Sequence, residues 1–341
     1  MSEQRSAPPG VRVAVVGASG AAGGDITAAL GRSPLPVTGW RLFGSRGGPG
    51  GEVELRGRSV PIEPLDEDGV ARGAFAGVDL VILAVPAARS QALGPALVEE
   101  GIAVIDVGAH LRDKGALCLP LSGVADWELF AERRIASVPA GPAAMLGAIA
   151  APLGHLGLTE LRGTVMVSAG AAGRAGPEEL SRQVIAMFNQ AEPPRRVFPQ
   201  GLAFDVLASP GEADGGWSAV ERALAIDLGA ITRAHPVAAV LNIVQVPIFA
   251  GMAATLQLKF SAAVDAATVG KALGAMPLVS LSERPPGPRR LVGTTGVHIG
   301  RLRDDPLGQG VHLWAAADNL RMGASANVVA TALTLWREGL L

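Results

Sequence analysis

The chain has a single cysteine, Cys118, in 341 residues, which excludes an internal disulfide and any multi-thiolate metal site and is consistent with a reducing compartment. Charge is scarce at 18%, and 29 Lys+Arg against 31 Asp+Glu leave a net charge of -2. No basic run could track a phosphate backbone, so nucleic acid is not an expected partner. Met1 to Gly10 lacks the apolar core of a secretory signal and reads as a disordered lead-in, which gives a cytoplasmic expectation. The long uncharged stretch Ile135 to Gly154 is broken by Pro139, Pro142 and Pro152 and is too rich in Gly and Ala for a membrane span. His110, His155, His235, His298 and His312 show no i, i+4 pairing, so a metal site has little support. No G-x-S-x-G elbow points to a serine hydrolase. Cys118 lies in the apolar segment Ala116 to Pro120 without a histidine neighbour, the setting of a buried, inert thiol.

What the chain has is apolar bulk and glycine: 49% hydrophobic residues and 45 Gly. Its length suits two domains, because single cores stop growing at roughly 250–300 residues. Val11 to Val16 is a β-branched strand, Gly17 to Gly23 a glycine turn, and Asp25 to Leu30 a helix. A second strand spans Thr38 to Phe43, and Val78 to Val85 and Ile102 to Val107 are the continuous apolar runs of buried parallel strands, with a helix at Arg89 to Glu100 between them. The alternation predicts an α/β fold: an open parallel sheet with helices on both faces, running to about Pro139. Beyond it, β patterns at Leu161–Val167, Ala238–Phe249 and Ala254–Phe260 alternate with helices at Glu178–Asn189 and Ser218–Leu228, an α+β texture. Gln190 to Gly216 reads as a surface loop and Asn319 to Leu341 as a final helix.

Gly17, Gly20 and Gly23 form G-x-x-G-x-x-G between a strand and a helix, the setting in which backbone N–H groups and a helix N-terminus meet a pyrophosphate. The alternative is a tight turn without a ligand. An NAD site usually places an acid after the second strand for the ribose 2′-OH, yet no acid lies between Asp25 and Glu52. Ser45-Arg46 stands there instead. Arg46 either pairs with a 2′-phosphate, favouring NADP, or is a solvated loop charge. From the residues alone the chemistry stays unassigned.

The glycine loop, Ser45-Arg46, Val246 to Gly251 and above all Leu313 to Asn327, with its D-N-L-R-x-G-A-x-x-N pattern, resemble the aspartate-semialdehyde dehydrogenase family along nearly the whole chain. The resemblance implies a Rossmann-type parallel sheet domain at 11–139, an α+β dimerisation/substrate domain at 140–318, and a closing helix at 319–341 that returns to the first domain. It implies NADP on Gly17, Ser19, Gly20, Ala21, Ala22, Gly23, Ser45, Arg46 and Asn319, and a homodimer. It also implies a cysteine thiolate that forms an acyl-enzyme and a histidine acid/base, for reductive dephosphorylation of aspartyl phosphate.

Here the position of the nucleophile is Gly141, in Val138-Pro-Ala-Gly141, and that of the acid/base is Met252. Gln245 replaces the arginine that would clamp the substrate carboxylate, Ala223 a phosphate-binding lysine and Val167 a substrate glutamine, whereas Arg112 and Glu221 match. A thioether carries no proton, and a neutral amide gives no bidentate ionic pair. The pattern is similar to the Usg-type paralogues. The expectation is an NADP-binding family member without the family reaction. The alternatives are an NADP-dependent oxidoreductase on another carbonyl, using Glu221 or a backbone-held water, and a purely structural dimer.

Overall fold

The computed structural model describes residues 9–45, 51–66, 69–70, 72–139, 141–208, 213–308 and 310–341. The expected lead-in therefore falls outside the described residues except for Pro9 and Gly10, as does Arg46. The chain divides into two units, the first comprising 1–120, 125–139 and 324–341 and the second 121–124 and 140–323.

The first unit contains β1 (Val11–Val16), α1 (Ala21–Arg32), β2 (Val37–Gly44), β3 (Glu52–Leu55), β4 (Arg58–Pro64), β5 (Leu80–Leu83), α2 (Ala87–Glu99), β6 (Ala103–Val107) and β7 (Ala116–Leu119). The two-residue β8 (Val124–Ala125), α3 (Trp127–Arg133) and β9 (Ile135–Val138) follow. The strands order as β3-β4-β2-β1-β5-β6-β9-β7-β8. From β4 through β9 the neighbours pair in parallel. The order reverses between β1 and β5, the switch point at which doubly wound sheets place their ligands. The β-branched run of β1 explains its central place. Val13 and Val15 enter one core with Ile26 and Leu30 of α1, while Ala14 and Val16 enter the other with Leu93 and Leu97 of α2.

The second unit contains α4 (Gly141–Leu153), β10 (Leu158–Val167), α5 (Ala175–Phe188), the short β11 (Leu207–Ala208), β12 (Ala213–Asp214) and β13 (Trp217–Ser218), and α6 (Ala219–Ile231). Then come β14 (Ala238–Gln245), β15 (Met252–Phe260), α7 (Ala266–Gly274), β16 (Val279–Ser282), β17 (Val297–Asp304) and β18 (Val311–Ala317). Its mixed sheet orders as β11-β14-β10-β15-β18-β17-β16. Almost every side chain of α4 from Ala143 to Leu153 is buried, as expected for a helix apolar all round, and it packs on α6, α7 and β10.

The closing helix is shorter than the sequence suggests. Arg321–Ser325 is a π-helical turn, and α8 is Ala326–Arg337, buried in the first unit's core through Val328, Ala332 and Leu335. The hairpin β3–β4 had no sequence forecast, because the glycine-rich run before it reads only as loop.

Candidate functional site

In the first unit the glycine turn follows β1 directly. Gly17 has φ +91°, and a Cβ there would overlap the Ala84 carbonyl oxygen; a Cβ on Gly23 would overlap the Gly17 carbonyl. The chain therefore makes its sharp turn on Gly17, and α1 closes onto β1 at Gly23. The turn is pinned by Gly17 and Ala18 N–H donating to Phe43 O (2.8 and 2.9 Å) and by Gly20 N–H donating to Gly17 O (2.9 Å). No side chain caps α1 and no acid lies in its first turn, where Ala21 and Ala22 stand at the start. Ser19 lies beside Gly44, the last residue of β2, and Ser45 follows, exposed. These features form a cradle that suits a dinucleotide pyrophosphate.

Arg112, half-buried, lies in the turn after β6. Asp106, fully buried, accepts the Leu111 N–H at 2.8 Å and so fixes that turn, with the Ser137 hydroxyl 3.5 Å away. Burial raises the Asp106 carboxyl above its ordinary value, outweighing the Leu111 N–H. Cys118 is buried and unbonded to any other cysteine, and burial pushes its thiol up to about 12, which removes it as a nucleophile.

In the second unit the sheet register brings four sequence-predicted positions into one cluster. Val167 pairs with Gln245 across β10–β14 and with Met252 across β10–β15. Gly141 opens α4 beside them: a Cβ built on it would lie 3.4 Å from Met252 Sδ and 3.2 Å from Asn319 O. The nucleophile and acid/base positions named by the resemblance are thus adjacent in space. Neither carries an ionisable group.

The remaining members are committed to structure. Gln245 is buried, and its Nε2 donates to Val167 O (3.3 Å) and Ser168 O (2.5 Å). Glu221 closes a capping box at the start of α6 with Ser218, and its other oxygen accepts the Ile243 N–H of β14 at 2.9 Å. Burial works to raise its pKa, but the Ser218 and Ile243 N–H groups outweigh that and hold it below the ordinary glutamate value. Ala223, half-buried on α6, brings only a methyl group. Asn319 Oδ1 accepts the Gly251 N–H at 2.7 Å, and Asp318 accepts from Gly293, Leu320 and Arg321 N–H groups.

Sequence reasoning missed three parts of this region. Ser168, 1% exposed, has a side-chain oxygen without a hydrogen-bond partner. Gly323 packs backbone to backbone on Gly141, and a Cβ there would overlap Gly141 Cα. Glu179 and Gln183 of α5 gather the N–H groups of Arg196, Val197, Phe198, Leu202 and Ala203 and so organise the long loop after the helix. The available signal was an acid and an amide four residues apart, just before a loop full of unpaired backbone.

Comparisons with known proteins agree with this architecture. Residues 12–134 match the family described as semialdehyde dehydrogenase, NAD binding domain, and residues 151–322 match semialdehyde dehydrogenase, dimerisation domain. The chain is 27% identical over 327 residues to an aspartate-semialdehyde dehydrogenase of Rickettsia bellii, covering 93% of this chain and 95% of that protein. It is 28% identical over 346 residues to a USG-1 protein homolog of Azotobacter vinelandii, covering 97% and 99%. The solved structure of a probable aspartate-semialdehyde dehydrogenase from Pseudomonas aeruginosa superposes with TM-score 0.87 at 26% identity, over 96% of this chain and 98% of that one.

A Rossmann-type unit followed by an α+β unit of this family defines a dehydrogenase architecture with an NAD(P)-binding domain. The chain belongs to the aspartate-semialdehyde dehydrogenase family.

Proposed function

We propose that this protein is a homodimeric, NADP-binding member of the family that does not run the family's reductive dephosphorylation. The observation that carries this reading is the juxtaposition of Gly141 and Met252, where a Cβ on the first would meet the sulfur of the second at 3.4 Å. The two positions lie together as a nucleophile and its acid/base must, and neither residue can form an acyl-enzyme or move a proton. Gln245 adds to it, since its amide is spent on Val167 and Ser168 carbonyls rather than facing a ligand carboxylate. The dimerisation domain of the family supports the homodimer.

NADP, when bound, supplies a hydride acceptor. On this chain Gly17, Gly20 and Gly23 let the backbone approach the pyrophosphate, and Ala21 and Ala22 present helix N–H groups. Ser45 and Arg46 are the candidates for the 2′-phosphate. The alternative of a reductase acting through Glu221 gains nothing from the geometry, because both carboxylate oxygens already accept backbone N–H groups.

The test is a calorimetric titration with NADP and with NAD, alongside an assay with aspartate semialdehyde, phosphate and NADP. The expected result is NADP-selective binding without turnover. Turnover at ordinary enzyme rates would overturn the inactive reading, and failure of both nucleotides to bind would leave a structural dimer.

A further inference from the structure

The parallel sheet of the first unit carries a second ordered turn at the edge where the glycine cradle lies. Strands β1, β5, β6 and β9 are neighbours and all run the same way, so the turns that follow β1 and β6 leave the same carboxyl edge. Two strand spacings, about 10 Å, separate them. In a doubly wound sheet a dinucleotide crosses the switch point with one half on each side, its adenosine ribose beside the second strand. The β5–β6 side is thus left to the nicotinamide half.

The turn after β6 is built on unusual backbone. Gly108 has φ +101°, and the fully buried Ala109 has φ +52°, a left-handed conformation uncommon in a residue with a side chain. Both N–H groups donate to Val138 O at the end of β9, at 2.8 and 3.0 Å. On the other flank Asp106 Oδ2 accepts the Leu111 N–H at 2.8 Å. His110 lies between these anchors. Its imidazole rests on Gly108, where a Cβ would lie 2.8 Å from His110 Nε2 and 3.1 Å from Cε1, so glycine leaves the room that the ring occupies. Backbone held out of its ordinary regions clusters at functional sites, and the group that this turn places is a half-buried imidazole.

Behind the turn lies a polar cluster. Asp106 is fully buried between Ser90 of α2 and Ser137 of β9, whose hydroxyl is 3.5 Å from Oδ2. The charge acting on this carboxyl is that of His110, which draws it toward its ionised form against the effect of burial. The other ionisable groups of the turn are Arg112, Asp113 and Lys114. Asp106 therefore fixes the turn and sets an acidic group behind the ring.

We propose that His110 is the proton donor of a carbonyl reductase activity, serving the oxygen of a small carbonyl compound bound at this edge. A hydride passes from NADPH to the carbonyl carbon, the carbon–oxygen π pair moves to oxygen, and that oxygen takes the His110 proton. The products are an alcohol and NADP, and the half-buried imidazole regains its proton from water. No thiolate takes part, so Gly141 and Met252 are no obstacle, and Glu221 stays a helix cap. The inference rests on the NADP reading above, and it does not rest on the dimer.

The experiment reads binding and then turnover, on the full-length protein. Diethylpyrocarbonate acylates accessible imidazoles, and mass spectrometry of the digested protein gives the rate at His110. At ten times its dissociation constant NADP should slow that rate about tenfold, whereas adenosine 2′,5′-bisphosphate, which lacks the nicotinamide half, should leave it unchanged. Calorimetry supplies the constant. If NADP does not bind, the NADP reading fails and this inference with it; if NADP binds and leaves His110 unprotected, this inference alone is overturned. Turnover is read as NADPH oxidation with 4-nitrobenzaldehyde and with pyruvate, a neutral and an anionic carbonyl probe. His110→Gln should keep NADPH affinity within about threefold, which also shows that the variant is folded, and lower the rate at least about a hundredfold, the usual worth of a general acid. Oxidation that survives His110→Gln, or none with either probe, overturns the proposal.

Discussion

The side-chain oxygen of Asn319 accepts the backbone N–H of Gly251 at 2.7 Å and so ties the segment after β18 to the residue just before Met252. Gly251 is buried, so that N–H has no ready access to water. Replacing Asn319 with Ala leaves the donor unpaired, at a cost of about 1–3 kcal/mol. Chemical denaturation should show that loss, and hydrogen exchange at the Gly251 amide should accelerate in the same variant.

Glu179 holds the loop after α5 through the N–H groups of Arg196, Val197 and Phe198 at 2.8–2.9 Å. Glu179→Ala should free that loop while the sheet keeps its register. Trypsin reads the difference directly, because Arg195 and Arg196 lie in the anchored stretch and are exposed. Faster cleavage there is the expected outcome, with about 2–3 kcal/mol lost in global stability from three backbone bonds.

Stability should depend on pH with two opposite signs. For Glu179 and Glu221 burial is opposed and outweighed by backbone N–H groups, so both native pKa values lie below the unfolded one. Their contribution is complete above the unfolded glutamate value of about 4.3 and is lost as pH falls through the lowered native values. Asp106 behaves inversely: burial raises its native value, so its ionised form costs stability as pH rises from about 3.9 through that value. Asp106→Asn keeps an acceptor for Leu111 and removes the buried charge. Its melting midpoint at neutral pH should therefore equal or exceed the wild type, whereas Glu221→Ala should lower it.

Gly23→Ala would drive a Cβ into the Gly17 carbonyl and push α1 away from β1. Calorimetry should show NADP affinity reduced by more than tenfold, since the helix N-terminus then no longer meets the turn in the same place. Gly20→Ala is the control: its Cβ would lie 3.2 Å from the Gly17 carbonyl, a tight contact that a small shift relieves.

The first unit was legible where local pattern and tertiary environment agree. A strand buried on both faces must be mostly apolar; β5 is wholly so, and β1 and β6 depart from it only at Arg12 and Asp106. A glycine turn between strand and helix has one common use. The β3–β4 hairpin was not legible, because its strand signal, Glu52 to Pro64, is interrupted by charges and follows a glycine-rich run. At the site, the types of Gly141, Met252, Gln245 and Val167 were readable once motifs aligned, and the register of three strands brings them together. What sequence could not supply was the use of each polar group. Glu221 reads equally as an acid poised for chemistry or as a helix cap, and only its partners, Ser218 and Ile243, distinguish the two.

The close approach of Gly323 to Gly141 is asymmetric. On the 323 side even a methyl group would strike backbone, which has nowhere to retreat without moving the π-helical turn. On the 141 side a Cβ meets Asn319 O at 3.2 Å and Met252 Sδ at 3.4 Å, contacts relieved by a shift of a few tenths of an ångström and by a flexible thioether. The frame around residue 141 would thus admit a thiol, while a proton carrier at 252 and a cationic clamp at 245 demand further changes. A Gly141→Cys substitution alone would therefore add a side chain before any proton carrier stands beside it.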